Sequence, residues 1–210
     1  MAFHYPNGQP YTNNETKPTK KQARQPEATT LFGKRGMTLE EELKDSNQYY
    51  RLHATAVVYK KPTPIQIVKV DYPARSQAVI KEAYFKQAST TDYNGIYQGR
   101  YVDFEAKETK NKTAFPFRNF HQHQIEHFRA CLNQGGICFV IMKFVPLQRL
   151  FLYPATELIS RWDAQVDGAR KSISLSDVID NGIEIKYQLN PIIPYLDAVD
   201  QLLKRSNKGV

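Results

Sequence analysis

The spacing of hydrophobic and polar positions divides the chain into helices and strands that follow one another in mixed order. Thr38 and Glu41 form a capping-box pattern, which predicts a helix that fades near Tyr50. Apolar periodicity predicts three more helices, at about 119–133, 156–163 and 192–205. The first of these ends at two consecutive glycines, as helices commonly do.

Segments rich in β-branched and aromatic residues predict the strands. They lie at Ala54–Tyr59, Ile65–Val70, Tyr84–Thr90, Tyr101–Lys107, Ile137–Phe144 and Leu150–Tyr153. The 137–144 run is almost entirely apolar, which is typical of a central strand covered on both faces. Asn94-Gly95 and Gln98-Gly99 predict turns, and 71–82 predicts a projecting loop. Strands and helices mix, so the predicted fold class is α/β with a mixed central sheet flanked by helices.

The chain length and the composition indicate one folded domain behind a polar arm. A chain of 210 residues accommodates one ordinary domain. Residues 1–33 are rich in Pro, Asn, Thr, Gln and Lys and poor in aliphatic residues, so we expect a disordered basic arm there. The predicted domain spans residues 34–206.

Positive charge predominates along the chain, with 29 Lys and Arg against 21 Asp and Glu. This balance favours an anionic partner such as nucleic acid, although charge that merely keeps a protein soluble is the alternative. The N-terminus lacks the pattern of a signal peptide, and no apolar run approaches the roughly 18 residues that span a bilayer. Cys131 and Cys138 read as buried thiols. We therefore expect a cytoplasmic protein without a membrane partner.

The segment Tyr101–Lys107 carries the candidate chemistry. Because side chains alternate along a strand, Glu105 and Lys107 project on one face, while Val102 and Phe104 face a core. A carboxylate can hold a hard cation such as Mg²⁺, and a neighbouring ammonium can orient water or stabilise charge on a phosphate. This pattern predicts phosphodiester hydrolysis.

Glu-x-Lys alone is a weak signal, because it also arises as a chance charge pair. Asp92 adds a second carboxylate beyond a turn, and Thr90 adds a hydroxyl. Gln124 lies in the middle of an apolar helix face, where a buried amide needs a partner. Its oxygen is expected either to bond to the backbone or to reach the metal.

With these residues in place, the chain resembles the RecU family of Holliday junction resolvases, which carry the PD-(D/E)xK nuclease pattern. The resemblance rests on Thr90-Thr-Asp92, Glu105-Ala-Lys107 and Gln124, with Thr91 where the motif has proline. Three further blocks also resemble the family: 32–41, 72–85 and 103–109. Together they cover nearly the whole chain beyond the arm.

The resemblance implies an enzyme that resolves four-way DNA junctions by paired symmetric nicks in recombination and repair. It implies Mg²⁺, with Mn²⁺ as a substitute, held by Thr90, Asp92, Glu105 and Gln124, and Lys107 as the transition-state stabiliser. Glu41 resembles the helical glutamate that many such nucleases bring near the metal. The implied fold is that of type II restriction endonucleases, working as a homodimer that engages recombinase and branch-migration proteins.

The family also has a stalk that enters the junction centre, and the segment at about 62–82 matches it. Its cations and an aromatic are the expected DNA contacts, together with two cations beside the arm: Lys34, Arg35, Lys69, Tyr72, Arg75 and Lys81. Tyr84 and Phe85, in contrast, are expected to pack in the core. A basic surface hairpin without function is the alternative.

Two rival functions use the same residues differently. His123, Glu126 and His127 fit the H-x-x-E-H pattern of a zinc-dependent hydrolase, although the helical wheel turns both histidines to solvent. A protein that binds branched DNA without cutting it would need the charge and the stalk, but not Asp92, Glu105 and Lys107 together. Cleavage of a synthetic junction separates these possibilities.

Overall fold

A computed structural model describes residues 37–74, 77–86 and 90–207. The predicted arm and three of the expected DNA contacts, Lys34, Arg35 and Arg75, lie outside these residues. Within the described ranges no helix is long and apolar enough to cross a membrane.

The described residues form ten strands and five α-helices. In chain order they are α1 (Leu39–Leu52), β1 (Ala56–Lys60), β2 (Ile65–Asp71), β3 (Val79–Phe85), β4 (Tyr93–Tyr97), β5 (Arg100–Thr109), β6 (Ala114–Pro116), α2 (Gln122–Asn133), β7 (Ile137–Phe144), β8 (Arg149–Pro154), α3 (Ala155–Asp163), β9 (Ser172–Ser174), α4 (Leu175–Asn181), β10 (Ile183–Ile185) and α5 (Tyr195–Asn207). The predicted helices and the central strand 137–144 are confirmed.

Six strands form one mixed sheet in the order β1-β4-β5-β7-β8-β10. Every neighbouring pair is antiparallel except β5 and β7, which run parallel and are joined through α2. All eight residues of β7 are buried, as expected of an apolar central strand. The predicted mixed α/β class is therefore correct.

Helices cover both faces of this sheet and make two cores. On one face, α1 and α5 pack through Leu43 and Val199 against Phe104 and Phe139. On the other, α2, α3 and α4 pack against the side chains of β7 and β8 that alternate with the first set. Thr38 caps α1, and Glu41 completes the predicted capping box.

Strands β2 and β3 pair antiparallel and form a separate hairpin. The predicted loop at 71–82 is thus partly wrong, because β3 begins at Val79 inside it. Nearly every described residue of the hairpin is exposed. The expectation that Tyr84 and Phe85 pack in the core is also wrong, since they are 60% and 84% exposed.

Strand β4 is missing from the predicted elements, and it occupies the predicted turn at Asn94-Gly95. Gly95 lies where a Cβ atom would stand 2.1 Å from the backbone oxygen of Val57, so close strand pairing explains the glycine. The second predicted turn is correct: Gln98 and Gly99 have φ angles of 49° and 73°, and they join β4 to β5.

Candidate active site

Strand β5 carries the candidate site, and its side chains alternate as predicted. Val102 and Phe104 are buried in the core beneath α1 and α5. Asp103 and Glu105 lie on the opposite face and are also fully buried, whereas the Lys107 side chain is 24% exposed. The polar face of this strand is therefore a buried site with one edge open to solvent.

The Glu105 carboxylate contacts both of the other predicted catalytic residues, Asp92 and Lys107. Its Oε2 atom accepts a hydrogen bond of 3.1 Å from the backbone N–H of Asp92. The Lys107 ammonium lies 2.9 Å from its Oε1 atom. That contact is an ion pair outside hydrogen-bond geometry, so Oε1 is buried without a hydrogen-bond partner among the described residues. A buried acceptor in this state is costly unless a further ligand satisfies it.

The electrostatics of Glu105 fit a cation-binding role. Burial raises the pKa of Glu105 to about 8, and nearby Asp92 adds to this, while the Lys107 charge opposes it. A divalent cation at Oε1 would stabilise the ionised carboxylate and satisfy the unpartnered oxygen. Two carboxylates, with hydroxyl and water oxygens, form a donor set that suits Mg²⁺.

Asp92 and Thr90 lie on the segment that leads into β4. The Thr90 hydroxyl donates to the backbone oxygen of Thr91 over 3.3 Å. Asp92 lines a cavity of about 220 Å³ together with Glu40 and Glu108. Sequence reasoning missed Glu40 and Glu108, although both flank residues it considered, Glu41 and Lys107.

Glu41 itself is used in the cap of α1. Its carboxylate accepts from the backbone N–H of Thr38 at 2.8 Å and from the Thr38 hydroxyl at 3.1 Å. Glu40, one residue earlier, borders the cavity of Asp92 and pairs with Lys60 at 2.6 Å. Glu40 is therefore the α1 glutamate on the cavity of Asp92.

Gln124 is buried, and its amide oxygen has a partner at the start of α2. This oxygen accepts a hydrogen bond of 3.1 Å from the backbone N–H of His121. The bond satisfies one of the free N–H groups at the helix N-terminus. Of the two roles that the sequence left open, backbone bonding is therefore present, and a second lone pair remains on the oxygen.

Asp103 forms a hydrogen-bonded hub that sequence reasoning did not identify. Its Oδ2 atom contacts the Lys61 ammonium at 2.8 Å, the Tyr101 hydroxyl at 2.8 Å and the His127 Nε2 atom at 3.1 Å. Its Oδ1 atom accepts from the Thr91 hydroxyl. Burial raises the pKa of Asp103, but the bonds from Lys61, Thr91 and Tyr101 outweigh it, so the pKa lies below its usual value.

The hub also fixes the segment that carries Asp92. Lys61 donates from its side chain to the Thr91 hydroxyl at 3.0 Å and from its backbone N–H to the Asp92 carbonyl at 2.7 Å. Asp103 lies two residues before Glu105 on the same face of β5. The signal in the sequence was the alternation of β5, which placed Asp103 beside Glu105, but nothing local indicated Lys61 as its partner.

Asp103, His127 and Cys131 form the one group of three metal-ligand side chains within the described residues. The Lys61 ammonium already lies against the Asp103 carboxylate and supplies the positive charge that a metal would bring. A second cation there would meet the repulsion of a like charge in a buried setting. The hub is therefore held together by its own lysine.

The zinc-hydrolase pattern does not converge on a metal. His127 is half-buried on Asp103, which corrects the expectation that it faces solvent. Glu126 accepts from Gln122 at 3.0 Å, and the His123 ring stacks on His121. These three side chains therefore point to different partners.

The expected DNA contacts that fall within the described residues lie on the β2–β3 hairpin. Lys69 and Tyr72 are exposed, and Lys81 forms an open ion pair of 3.6 Å with Asp71. Tyr84 and Phe85 add exposed aromatic surface that the sequence assigned to the core. The hairpin thus presents cations and aromatic rings together.

The chain matches one protein family and is similar to several known proteins. The family described as "Recombination protein U" matches residues 34–201. The protein of Latilactobacillus sakei named "Holliday junction resolvase RecU" is 78% identical over 210 residues and covers both chains completely. The proteins of the same name from Lacticaseibacillus casei and Lactiplantibacillus plantarum are 63% and 60% identical, with 96% or more of each chain covered.

Among the solved structures that match is that of Hjc, a Holliday junction resolvase from Archaeoglobus fulgidus. It is 13% identical, with a TM-score of 0.40, and the match covers 69% of this chain and 94% of that one.

Proposed function

Since this chain belongs to the RecU family and is a Holliday junction resolvase, we propose that it cuts the junction at Asp92, Glu105 and Lys107 around Mg²⁺. The observation that carries this proposal is the buried Glu105 carboxylate, which accepts from the Asp92 N–H, forms an ion pair with Lys107 and has no hydrogen bond at Oε1 within the described residues. Thr90 and Gln124 complete the proposed ligand set, and Mn²⁺ substitutes for Mg²⁺.

The chemistry divides among these residues by their charge and position. Bound Mg²⁺ supplies Lewis acidity, which lowers the pKa of a water and neutralises charge on the scissile phosphate. Glu105 and Asp92 hold the cation, and the Asp92 N–H fixes the Glu105 carboxylate in place. Lys107, at the open edge of the site, orients the attacking water and stabilises the negative charge that develops on the phosphate.

We also propose that the order α1–β1–β4–β5–α2–β7 is the restriction-endonuclease-like nuclease core, with the β2–β3 hairpin as the stalk. Lys60 of β1 pairs with Tyr93 of β4, so the hairpin is inserted between two adjacent strands. Its exposed cations suit phosphates, and its exposed rings suit bases unstacked at the crossover.

The test is cleavage of a synthetic four-way junction, with a linear duplex as the control substrate. The wild type should make symmetric nicks in Mg²⁺, with junction cut in preference to duplex. Glu105→Ala and Asp92→Ala should bind the junction at wild-type affinity but lose cleavage, on the order of a thousandfold or more. Either variant cutting at the wild-type rate would remove that residue from the site, and binding without products in Mg²⁺ and Mn²⁺ would favour a binding protein.

Paired nicks on opposite strands call for two active sites, and we propose a homodimer. Val57 and Ile96 are strand neighbours at the β1–β4 end of the sheet, 56% and 58% exposed, on the face that carries Glu105. A contiguous exposed apolar surface is typical of an interface. Sedimentation should give a dimer, and Ile96→Glu should give a monomer, whereas Lys186→Glu, far along the sheet order, should not.

We place the enzyme in the cytoplasm, with the bacterial chromosome.

A further inference from the structure

A cleft of about 650 Å³ opens beside the short antiparallel sheet of β6 and β9. Its walls include Asn111, Phe117, Arg118, Trp162, Gln165 and Lys171. No acidic side chain lies among the described residues that line it. We call this region the basic cleft.

The charges at the basic cleft are not neutralised. Arg118 and Lys171 are exposed, and neither forms an ion pair with any acid in the described part of the chain. The β6–β9 pairing continues one step further, with the Phe117 N–H donating to the Lys171 carbonyl at 3.1 Å, so the backbone segments that carry the two cations lie side by side at the cleft. The adjacent Asp163 is taken by Arg129. Lys110, Lys112 and Arg170 flank the cleft and are exposed as well.

The remaining polar groups in the cleft are suited to an anion. Asn111 and Gln165 bring side-chain amides whose N–H groups can donate to phosphate oxygens. The Trp162 indole packs edge-on against Phe117 at 5.5 Å and donates its N–H to Gln122, so it forms a fixed wall. The groove is rigid and open, and it carries two cations that form no ion pair within the described residues. Because each phosphate contact is weak and salt-sensitive, such a groove suits a polyanion that contacts both cations at once.

The basic cleft lies on the same side of the sheet as the active site. Phe117 belongs to the core that contains Val140, and Val140 is the strand neighbour of Glu105. Asn119 donates to the backbone oxygen of Glu108 at 3.3 Å, which ties this wall to β5 one residue after Lys107. Asn111 is at most about 20 Å from Glu105, since an extended chain advances about 3.3 Å per residue.

We propose that the basic cleft binds the sugar–phosphate backbone of one duplex arm of the junction, within about one helical turn of the cut. This proposal rests on the proposed function, because the bound duplex is the junction arm that leads away from the scissile phosphate. The hairpin would contact the crossover, and the basic cleft would hold the duplex and set its direction.

The experiment measures binding of the full chain to a fluorescent four-way junction and to a linear duplex between 50 and 200 mM salt, with Mg²⁺ withheld. Arg118→Ala/Lys171→Ala is compared with Lys186→Ala/Lys204→Ala, which removes the same charge elsewhere. Losing two phosphate contacts should lower the slope of log affinity against log salt by about 1.8. The affinity lost across this salt range should then shrink by about tenfold, for both DNA forms.

The control variant should keep a salt slope closer to that of the wild type. Arg118→Lys/Lys171→Arg, which keeps both charges, should have the wild-type slope. Single-turnover cleavage by the control variant, whose two lysines lie outside both the metal site and the basic cleft, should stay at the wild-type rate. A slope equal to that of the wild type, or equal to that of the control variant, would overturn the proposal. Failure of the wild type to cleave would instead count against the proposed function, and the binding slopes would still test the cleft.

Discussion

At the scale of single residues, the burial of Glu105 disfavours the ionised form of its carboxylate. Its folded-state pKa of about 8 lies above the ordinary value of 4.5, so the folded protein keeps a proton that the unfolded chain releases. Metal-free stability must therefore fall as the pH rises from about 4.5 to 8. A cation that binds the ionised form offsets this loss.

We expect Mg²⁺ to raise the Tm of the wild type more at pH 8.5 than at pH 6. In Glu105→Gln, which cannot titrate, the metal-free Tm should depend less on pH and the Mg²⁺ effect should be small. Differential scanning fluorimetry at both pH values, with and without Mg²⁺, measures this. A wild type and variant with the same pH dependence would contradict a raised pKa at Glu105.

Gln124 gives a second test, because its known bond and its proposed metal role can be separated. Gln124→Ala removes the acceptor for the His121 N–H and should cost about 1 kcal/mol of unfolding free energy. It should also raise the Mg²⁺ concentration for half-maximal cleavage. Gln124→Glu should restore the stability. An unchanged Mg²⁺ requirement in Gln124→Ala would leave this residue with the helix cap alone.

At the scale of elements, the Asp103 hub joins β5, α2 and the ends of the hairpin. Lys61 lies between β1 and β2, and Thr91 lies just before β4, so Asp103 holds both ends of the hairpin to β5. Removing one member of a buried ion pair leaves the other uncompensated, which is more costly than removing both.

Asp103→Asn should therefore lower the unfolding free energy by about 3 kcal/mol. Lys61→Met should also destabilise, and the double variant should lose less than the sum of the two. Urea denaturation of the four proteins gives this coupling. Because the hub fixes the Asp92 backbone, Lys61→Met should also need more Mg²⁺, and Lys61→Arg should recover part of this. Additive losses would show that the pair acts independently.

Elements could be predicted from the sequence where an apolar pattern extends over many neighbouring residues. They could not be predicted where the reason for a residue lies on another strand. Strand 137–144 and helix α2 were predictable because an apolar run or stripe is visible locally. β4 was not, since its five residues contain a glycine whose reason is the carbonyl of Val57 on another strand. The same holds at the site. Alternation placed Glu105 beside Lys107, but the Lys61 contact to Asp103 depends on strand order, which no local pattern encodes.

At the scale of the whole molecule, the hairpin and the nuclease core are separable in their packing. Within the described residues, nearly all hairpin side chains are exposed, so the core gains little burial from them. Yet the exposed Tyr72, Tyr84 and Phe85 offer rings that a closed duplex cannot engage. We therefore expect folding and substrate choice to depend on different parts of the chain.

Replacing residues 65–86 with a short Gly-Ser linker should change the unfolding free energy by about 1 kcal/mol or less, since little apolar surface was buried. The preference for a four-way junction over a linear duplex should fall by about tenfold or more, as expected for loss of a stacked base. Competition binding with both DNA forms measures this. A variant that keeps the full preference would assign junction recognition to the core.

The parallel pairing of β5 with β7 also sets the moment during protein synthesis when cutting can begin. Glu105 lies opposite Val140 in this pairing, so we expect its burial to require β7. A nascent chain that ends within α2 already carries Asp92, Glu105 and Lys107, but one edge of β5 is unpaired and its carboxylate is open to water. A ribosome-bound chain therefore holds the three proposed catalytic residues without an assembled centre, and we expect the nuclease to become active only after β7 has emerged.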